Sequence, residues 1–270
     1  MASHDLKRIL ANWSYQPGQI TVRQITGDDG KPKIQMRLDL GILQMETEGR
    51  PDGQRPFNCE SLLEYHRNRL KEYARVNGTD LGFELTSDEC QSLREEAVMF
   101  YHRYLSLFVL EDFRGVERDT GRNLEVLDLC RDYAAEEDDA EALEPYRCYL
   151  IMMNTRAKAH QAIRREAFKT ALAYVDAGLS EIESYLAERE GDDEDDEESI
   201  EDSSEAAILR ALRAEIAQRV PEDPVSALQA RLEAAIVAER YEEAAEIRDR
   251  LQKLRSRKRR RRTGDAGGKA

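Results

Sequence analysis

The chain has 270 residues, with 41 Lys and Arg against 55 Asp and Glu, a net charge of −14. That balance argues against a general nucleic-acid binder, which needs a basic face for phosphates, but leaves room for a local basic patch. Aromatic residues make up 7% and charged residues 36%, so the chain can bury one larger core or two small ones beneath a densely charged surface.

The first elements are strands. Ile34, Met36, Leu38 and Leu40 alternate with polar residues over Lys33 to Leu40, the period of a half-buried strand. Ile20, Val22 and Ile25 suggest a preceding strand, and Gly27 to Lys31 reads as the hairpin turn between them. Ile42 to Glu48 is either a third strand or the far half of one long strand bulged at Gly41. Two or three strands need a helical cover to be stable in water. Gly49 to Pro56 breaks regular structure. It carries Arg50 and Arg55 and reads as a turn ending the sheet, with an anion-holding loop as the alternative.

From Asn58 the chain reads as helical. Asn58 is the expected cap of a helix running to Val76, with Leu62, Tyr65, Leu70 and Tyr73 inward and Asn77-Gly78 as its stop. Thr86 and Glu89 form a capping-box pattern. The helix behind it carries Leu93, Ala97, Phe100, Tyr101, Tyr104, Leu107 and Phe108, a stripe wide enough for a core helix. Leu124 to Ala134 is another helix, with Glu111 to Arg122 upstream weakened by Gly115 and Gly121. The acidic residues 136–141 read as a loop or frayed end. Residues 146–186 read as two helices joined near Arg164-Arg165. Their small and aromatic spacing is weakly similar to a degenerate tetratricopeptide unit, but no second copy follows at a fixed period. A helical hairpin closing the core is the plainer reading.

Residues 188–205 hold twelve acidic residues, one arginine and almost no apolar side chain, the composition of a disordered linker. Ser204 to Val220 reads as a helix. Asp223 and Pro224 then suit the cap and first turn of a further helix, along which Leu228, Leu232, Ala235 and Ile236 recur at helical spacing. After a polar break at Glu239-Arg240, Tyr241, Ala244, Ala245, Arg248, Leu251 and Leu254 mark a second helical face. The small pair Ala244-Ala245 would let the two helices approach closely. Together these segments predict an antiparallel helical hairpin.

In this window the order Tyr241-Glu242, Ala244-Ala245, Arg248-Asp249, then Leu251 and Leu254, resembles the UVR motif, first described in excision-repair subunits B and C. The resemblance covers about 34 residues, 223–256. It implies a protein–protein contact element, of the kind also found in Clp-type chaperones and adaptors of arginine kinases. The residues expected to carry such contact are Leu228, Leu232, Ile236, Tyr241, Ala244, Ala245, Arg248, Leu251 and Leu254.

No catalytic constellation is visible: no G-x-S-x-G, no H-E-x-x-H, no glycine-rich phosphate loop. Lone His66 and His102 read as packed or surface histidines. The four cysteines, Cys59, Cys90, Cys130 and Cys148, form no C-x-x-C pair, so reduced thiols of a cytoplasmic protein are expected, with no metal and no cofactor. No signal peptide is read, and the apolar stretch 97–110 is broken by His102 and Arg103 and too short to cross a bilayer. The basic run Arg257, Lys258, Arg259, Arg260, Arg261 and Arg262 contacts nucleic-acid phosphates, pairs with the acidic linker, or is simply solvated. It has no interleaved aromatic for base stacking.

The expected fold is α+β and predominantly α-helical. A small N-terminal antiparallel sheet packs on a helical domain (1–187), followed by the acidic linker (188–205), a helix plus hairpin (206–256) and a basic disordered tail (257–270). The expected function is a non-catalytic adaptor or scaffold, docking on a partner protein or a second copy through the hairpin. The alternative is a DNA-repair-associated protein that recruits excision-repair factors, with weak DNA contact by the arginines. An enzyme centred on the N-terminal domain is the third class.

Overall fold

The computed structural model describes residues 6–189, 203–220 and 224–264, with side chains at all of these except 224–227, 230 and 253–264. Residues 190–202, which carry most of the expected linker, and 265–270 at the end of the expected tail lie outside the described residues. The chain divides into two compact units between Gln218 and Arg219.

The first unit is a small sheet on a stack of helices. After one helical turn, α1 (Lys7–Leu10), strands β1 (Thr21–Thr26), β2 (Pro32–Arg37) and β3 (Ile42–Glu46) form an antiparallel sheet in that order. Val22 pairs with Met36 and Met36 with Leu43, while Ile34 pairs with Met45. These residues share one face, and Ile34, Met36 and Met45 are buried in the core with Tyr104 and Leu107. The glycine resolves as a turn between two strands: Leu38 N–H donates to the Gly41 carbonyl at 2.9 Å. Leu38 and Leu40 therefore leave the sheet and are exposed, although they continue its alternation.

Helix α2 (Leu62–Asn77) starts later than its sequence suggests. Ser61 is extended and its hydroxyl accepts from Glu64 N–H, while Asn58 sits in a preceding turn at φ +61°. Its most buried side chains are Leu63 and His66, a face rotated from the expected one. Gly78 ends the helix at φ +75°. Helix α3 (Ser87–Val109) opens with the complete Thr86/Glu89 capping box.

Helix α4 (Phe113–Tyr133) is continuous through both glycines. A Cβ at Gly115 would lie 2.7 Å from Leu107 Cδ1, so the residue that weakens the helix locally permits close approach of α3. The acidic stretch forms a short helix, α5 (Glu137–Glu141), held by Arg94 to Asp139 at 2.8 Å. Helices α6 (Arg147–Arg164) and α7 (Phe168–Arg189) form the expected hairpin. A Cβ at Gly178 would overlap the Thr155 side chain, so the crossing is tight.

Helix α8 (Ser204–Arg219) belongs with this unit rather than with the C-terminal hairpin. Ala206, Leu209 and Ile216 are fully buried in the main core, and Arg213 pairs with Asp176 of α7 at 2.6 Å. Three apolar side chains on one face suffice to pull a short helix onto the larger core.

Buried charge ties sheet to helices. Arg103 of α3 makes a two-pronged bond to Asp119 of α4, at 2.6 and 2.9 Å, and donates to the carbonyls of Glu46 and Gly49. Glu96 pairs with Arg122 and accepts from Leu62 N–H at 2.8 Å. Phe100 lies between the Arg103 and Arg122 guanidinium groups, 4.8 and 4.0 Å from its ring centre.

Two of the helix reversals here use one device. At the end of α3, Glu111 N–H donates to the Phe108 carbonyl and Asp112 N–H to Leu107; after α6, Glu166 donates to Ile163 and Ala167 to Ala162. Glu111 and Glu166 sit at φ +58° and +56°. This is a Schellman ending with glutamate in the left-handed position usually taken by glycine.

Candidate functional site

The second unit is built from α9 (Pro224–Val237) and α10 (Tyr241–Gly264). Its apolar seam is formed, among the described side chains, by six residues. Ala235, Ala244, Ile247 and Leu251 are buried together, with Leu228 and Leu232 packed against them. Ala244 lies in the seam because Ala244, Ile247 and Leu251 fall at three- and four-residue spacing on one helix face. Ala245, one step round the helix, is exposed, as is Arg248. The alanine pair therefore does not enter the helix contact as a pair. Ile247, absent from the expected set, completes the face.

The turn repeats the Schellman ending. Glu239 N–H donates to Ile236 and Arg240 N–H to Ala235, at 3.0 and 2.8 Å, with Glu239 at φ +56°. It leaves Ile236, Val237 and Tyr241 exposed by 52%, 85% and 69%. The expected contact residues thus divide. Leu228, Leu232, Ala244 and Leu251 hold the two helices together, whereas Ile236, Tyr241, Ala245 and Arg248 face outward. Leu254 lies among the residues whose side chains are not described.

The expected cap, Asp223, lies outside the described residues; the seam, the turn and the second helix fall within one segment that matches a known family. Residues 222–257 match the UVR family, the UvrB/uvrC motif. Comparison with curated proteins and with solved structures gave no match to the chain. The UVR hairpin is the C-terminal part of a chain whose first unit stands outside that match.

The basic run falls on α10, whose backbone stays helical to Gly264 instead of ending as an irregular tail. Arginine and lysine are good helix formers and nothing in the run breaks the helix.

The first unit offers a shallow cleft of about 540 Å³ between α4, α6 and α7, lined by Ser180, Ser184, Tyr185, Glu181, Arg131 and Arg147. Two of its polar groups are committed elsewhere: Arg147 bonds Glu144 and Asp128, and the Tyr185 hydroxyl donates to the Glu144 carbonyl. No histidine or cysteine lines it. Arg50 is turned inward, 3.1 Å from Asp52 and 3.6 Å from Glu96, so the Gly49–Pro56 loop spends its buried cation on the protein's own carboxylates. Cys90 and Cys130 are buried side by side in a second small core, and burial pushes the Cys130 thiol up to about 12, which keeps it protonated. Among the described residues no cluster of His, Cys, Asp and Glu is arranged to hold a metal ion, and no helix is long and apolar enough to cross a membrane.

Proposed function

We propose that the chain is a non-catalytic adaptor whose UVR hairpin docks on a partner protein through its closed end. The observation that carries this reading is the apolar tip: Ile236, Val237 and Tyr241 surround one tight turn and are exposed. A hairpin of this size has a small core and gains little stability from it. Large apolar side chains at its tip therefore mark a surface to be covered. Aromatic anchors such as Tyr241 commonly carry much of the energy of an interface.

The test is affinity capture from extract with the full chain and with a Val237→Ser/Tyr241→Ser double variant. The expected result is a captured protein that the double variant loses while its first unit stays folded. Equal capture by both would reject the tip as the docking surface. Capture of excision-repair subunits would place the adaptor in DNA repair, and capture of a chaperone–protease or kinase system would place it in proteostasis.

A further inference from the structure

The three helix reversals at Glu111, Glu166 and Glu239 are the same turn written three times. Each reads apolar-x-x-Glu-x-aromatic: Phe108 to Phe113, Ile163 to Phe168, Ile236 to Tyr241. The residue before each apolar position is buried (Leu107, Ala162, Ala235), and so is the residue three after each aromatic (Val116, Ala171, Ala244). The next helix begins identically in all three, with Val116, Ala171 and Ala244 N–H donating to the fourth residue back at 3.0 to 3.1 Å. The spacing between copies is irregular, so the repetition is one of turn geometry and not of a solenoid.

What differs is the cover. The first turn is closed by one face of α6. Arg164 pairs with the Glu111 carboxylate and donates to the Glu111 carbonyl at 2.9 Å. Its guanidinium lies 4.7 Å from the Phe113 ring centre, and His160 stacks on the same ring at 4.6 Å and 13°. Arg156 sits 4.4 Å over Phe108. A helix carrying flat side chains at four-residue spacing, arginine at both ends and histidine between, thus fits an apolar–Glu–aromatic turn: one arginine satisfies the glutamate while the row lies across the rings. At the second turn Ile163 and Phe168 pack on the main core. At the third, Ile236 and Tyr241 are exposed, and Glu239 has no cationic partner among the described residues.

We infer that the tip of the UVR hairpin receives the end of a partner helix bearing an arginine that pairs with Glu239, with a second flat side chain, histidine or arginine, four residues earlier stacked on Tyr241. The α3–α4 turn is the template for this contact. The inference rests on the proposed docking through the tip and adds the chemistry of the partner. The row on the partner is basic because the group it meets is the Glu239 carboxylate, and planar because the ring of Tyr241 offers a face.

A photoreactive Tyr241→p-benzoylphenylalanine substitution in the full chain, cross-linked in extract and read by mass spectrometry, identifies the segment that lies on the tip. The expected cross-link is to a helical segment with arginine at its end and histidine or arginine four residues before it. Glu239→Lys should then weaken capture of that partner at least about 10-fold, and an arginine-to-glutamate change in the partner helix should restore it. A cross-link to an acidic segment, to a strand or to the hairpin of a second copy would overturn the inference while leaving docking intact. No cross-link at all would reject both. Full capture by Glu239→Lys would also overturn the inference.

Discussion

The first unit and the UVR hairpin use the same reversal between helices, yet they bury it to different degrees. In the first unit, Phe108 and Phe113 are covered by α6, and Arg103, Asp119, Glu96 and Arg122 are locked inside. In the hairpin, six of the described side chains make up the seam and the corresponding apolar and aromatic positions face solvent. A turn sequence therefore fixes how two helices are joined, while its surroundings decide whether the turn is core or contact surface. The first unit covers the rings of its own turns, whereas the hairpin leaves Ile236, Val237 and Tyr241 exposed.

Breaking the buried ion pair should separate the two most sharply. Arg103→Ala removes the two-pronged bond to Asp119 and the donors to the Glu46 and Gly49 carbonyls, leaving the buried carboxylate only the half-exposed Arg118 at 2.8 Å, and should cost about 3 kcal/mol, the low end for a broken buried pair. The chain's one tryptophan, Trp13, lies beneath Arg23 in the first unit. Urea unfolding followed by Trp13 fluorescence should therefore show the full loss, while hydrogen exchange in the hairpin stays unchanged.

Within the hairpin, Ala244→Leu overpacks the seam and should cost about 1–3 kcal/mol. Ala245→Leu, on the exposed face, should stay within about 0.5 kcal/mol. Limited proteolysis across 224–252 should accelerate for the first variant only; equal effects would mean that the helices meet on a different face. Glu239→Gly relieves the left-handed backbone strain and should stabilise the hairpin by about 1 kcal/mol. The same change should weaken docking, so stability and binding move in opposite directions.

Acid offers a milder contrast. Burial holds His66, His102 and His160 below the ordinary histidine value of 6.5. The unfolded chain then binds protons first, so stability of the first unit should fall as pH drops below 6.5. The hairpin contains no histidine and should not respond to that titration. Thermal unfolding monitored by Trp13 between pH 7.5 and 5.5 checks this; a flat response would place the histidines in solvent.

The smallest effect concerns the basic end of α10. Arg259, Arg260, Arg261 and Arg262 changed together to Gln should leave both units' stability and the docking intact. Any contact with duplex DNA should be weak, indifferent to sequence and steeply salt-dependent, and should disappear in this variant. Fluorescence anisotropy over a salt series reads it.

Much of the architecture was legible because it rests on local signals. The β1–β2 turn, the Thr86/Glu89 box, the Gly78 stop and the Glu239-Arg240 break each depend on a few adjacent residues. What was not legible depends on distant neighbours. Gly115 reads as a weak point in α4 until Leu107 is seen against it. Leu38 and Leu40 keep strand alternation after the strand has ended, because periodicity carries no record of where pairing stops. Helix α8 follows its burial to the first unit, across an acidic stretch that suggests a boundary. In the hairpin the motif pointed to the right segment, but assigning Ala245 to the seam and omitting Ile247 are errors of helical phase, which only the packing of α9 against α10 fixes. The repeated turn escaped a search for a fixed period because its copies are unevenly spaced.

The exposed tip, Ile236, Val237 and Tyr241, is the surface on which the proposed docking depends. Hydrogen–deuterium exchange of the full chain, free and in the complex recovered by affinity capture, tests that dependence most directly. Amides of 228–252 should exchange far faster than those of α3, α4 and α6 in the free chain, and protection in the complex should centre on residues 236–244. A hairpin as protected as the main core when free, or a complex in which 236–244 remains unprotected, would contradict docking through the tip.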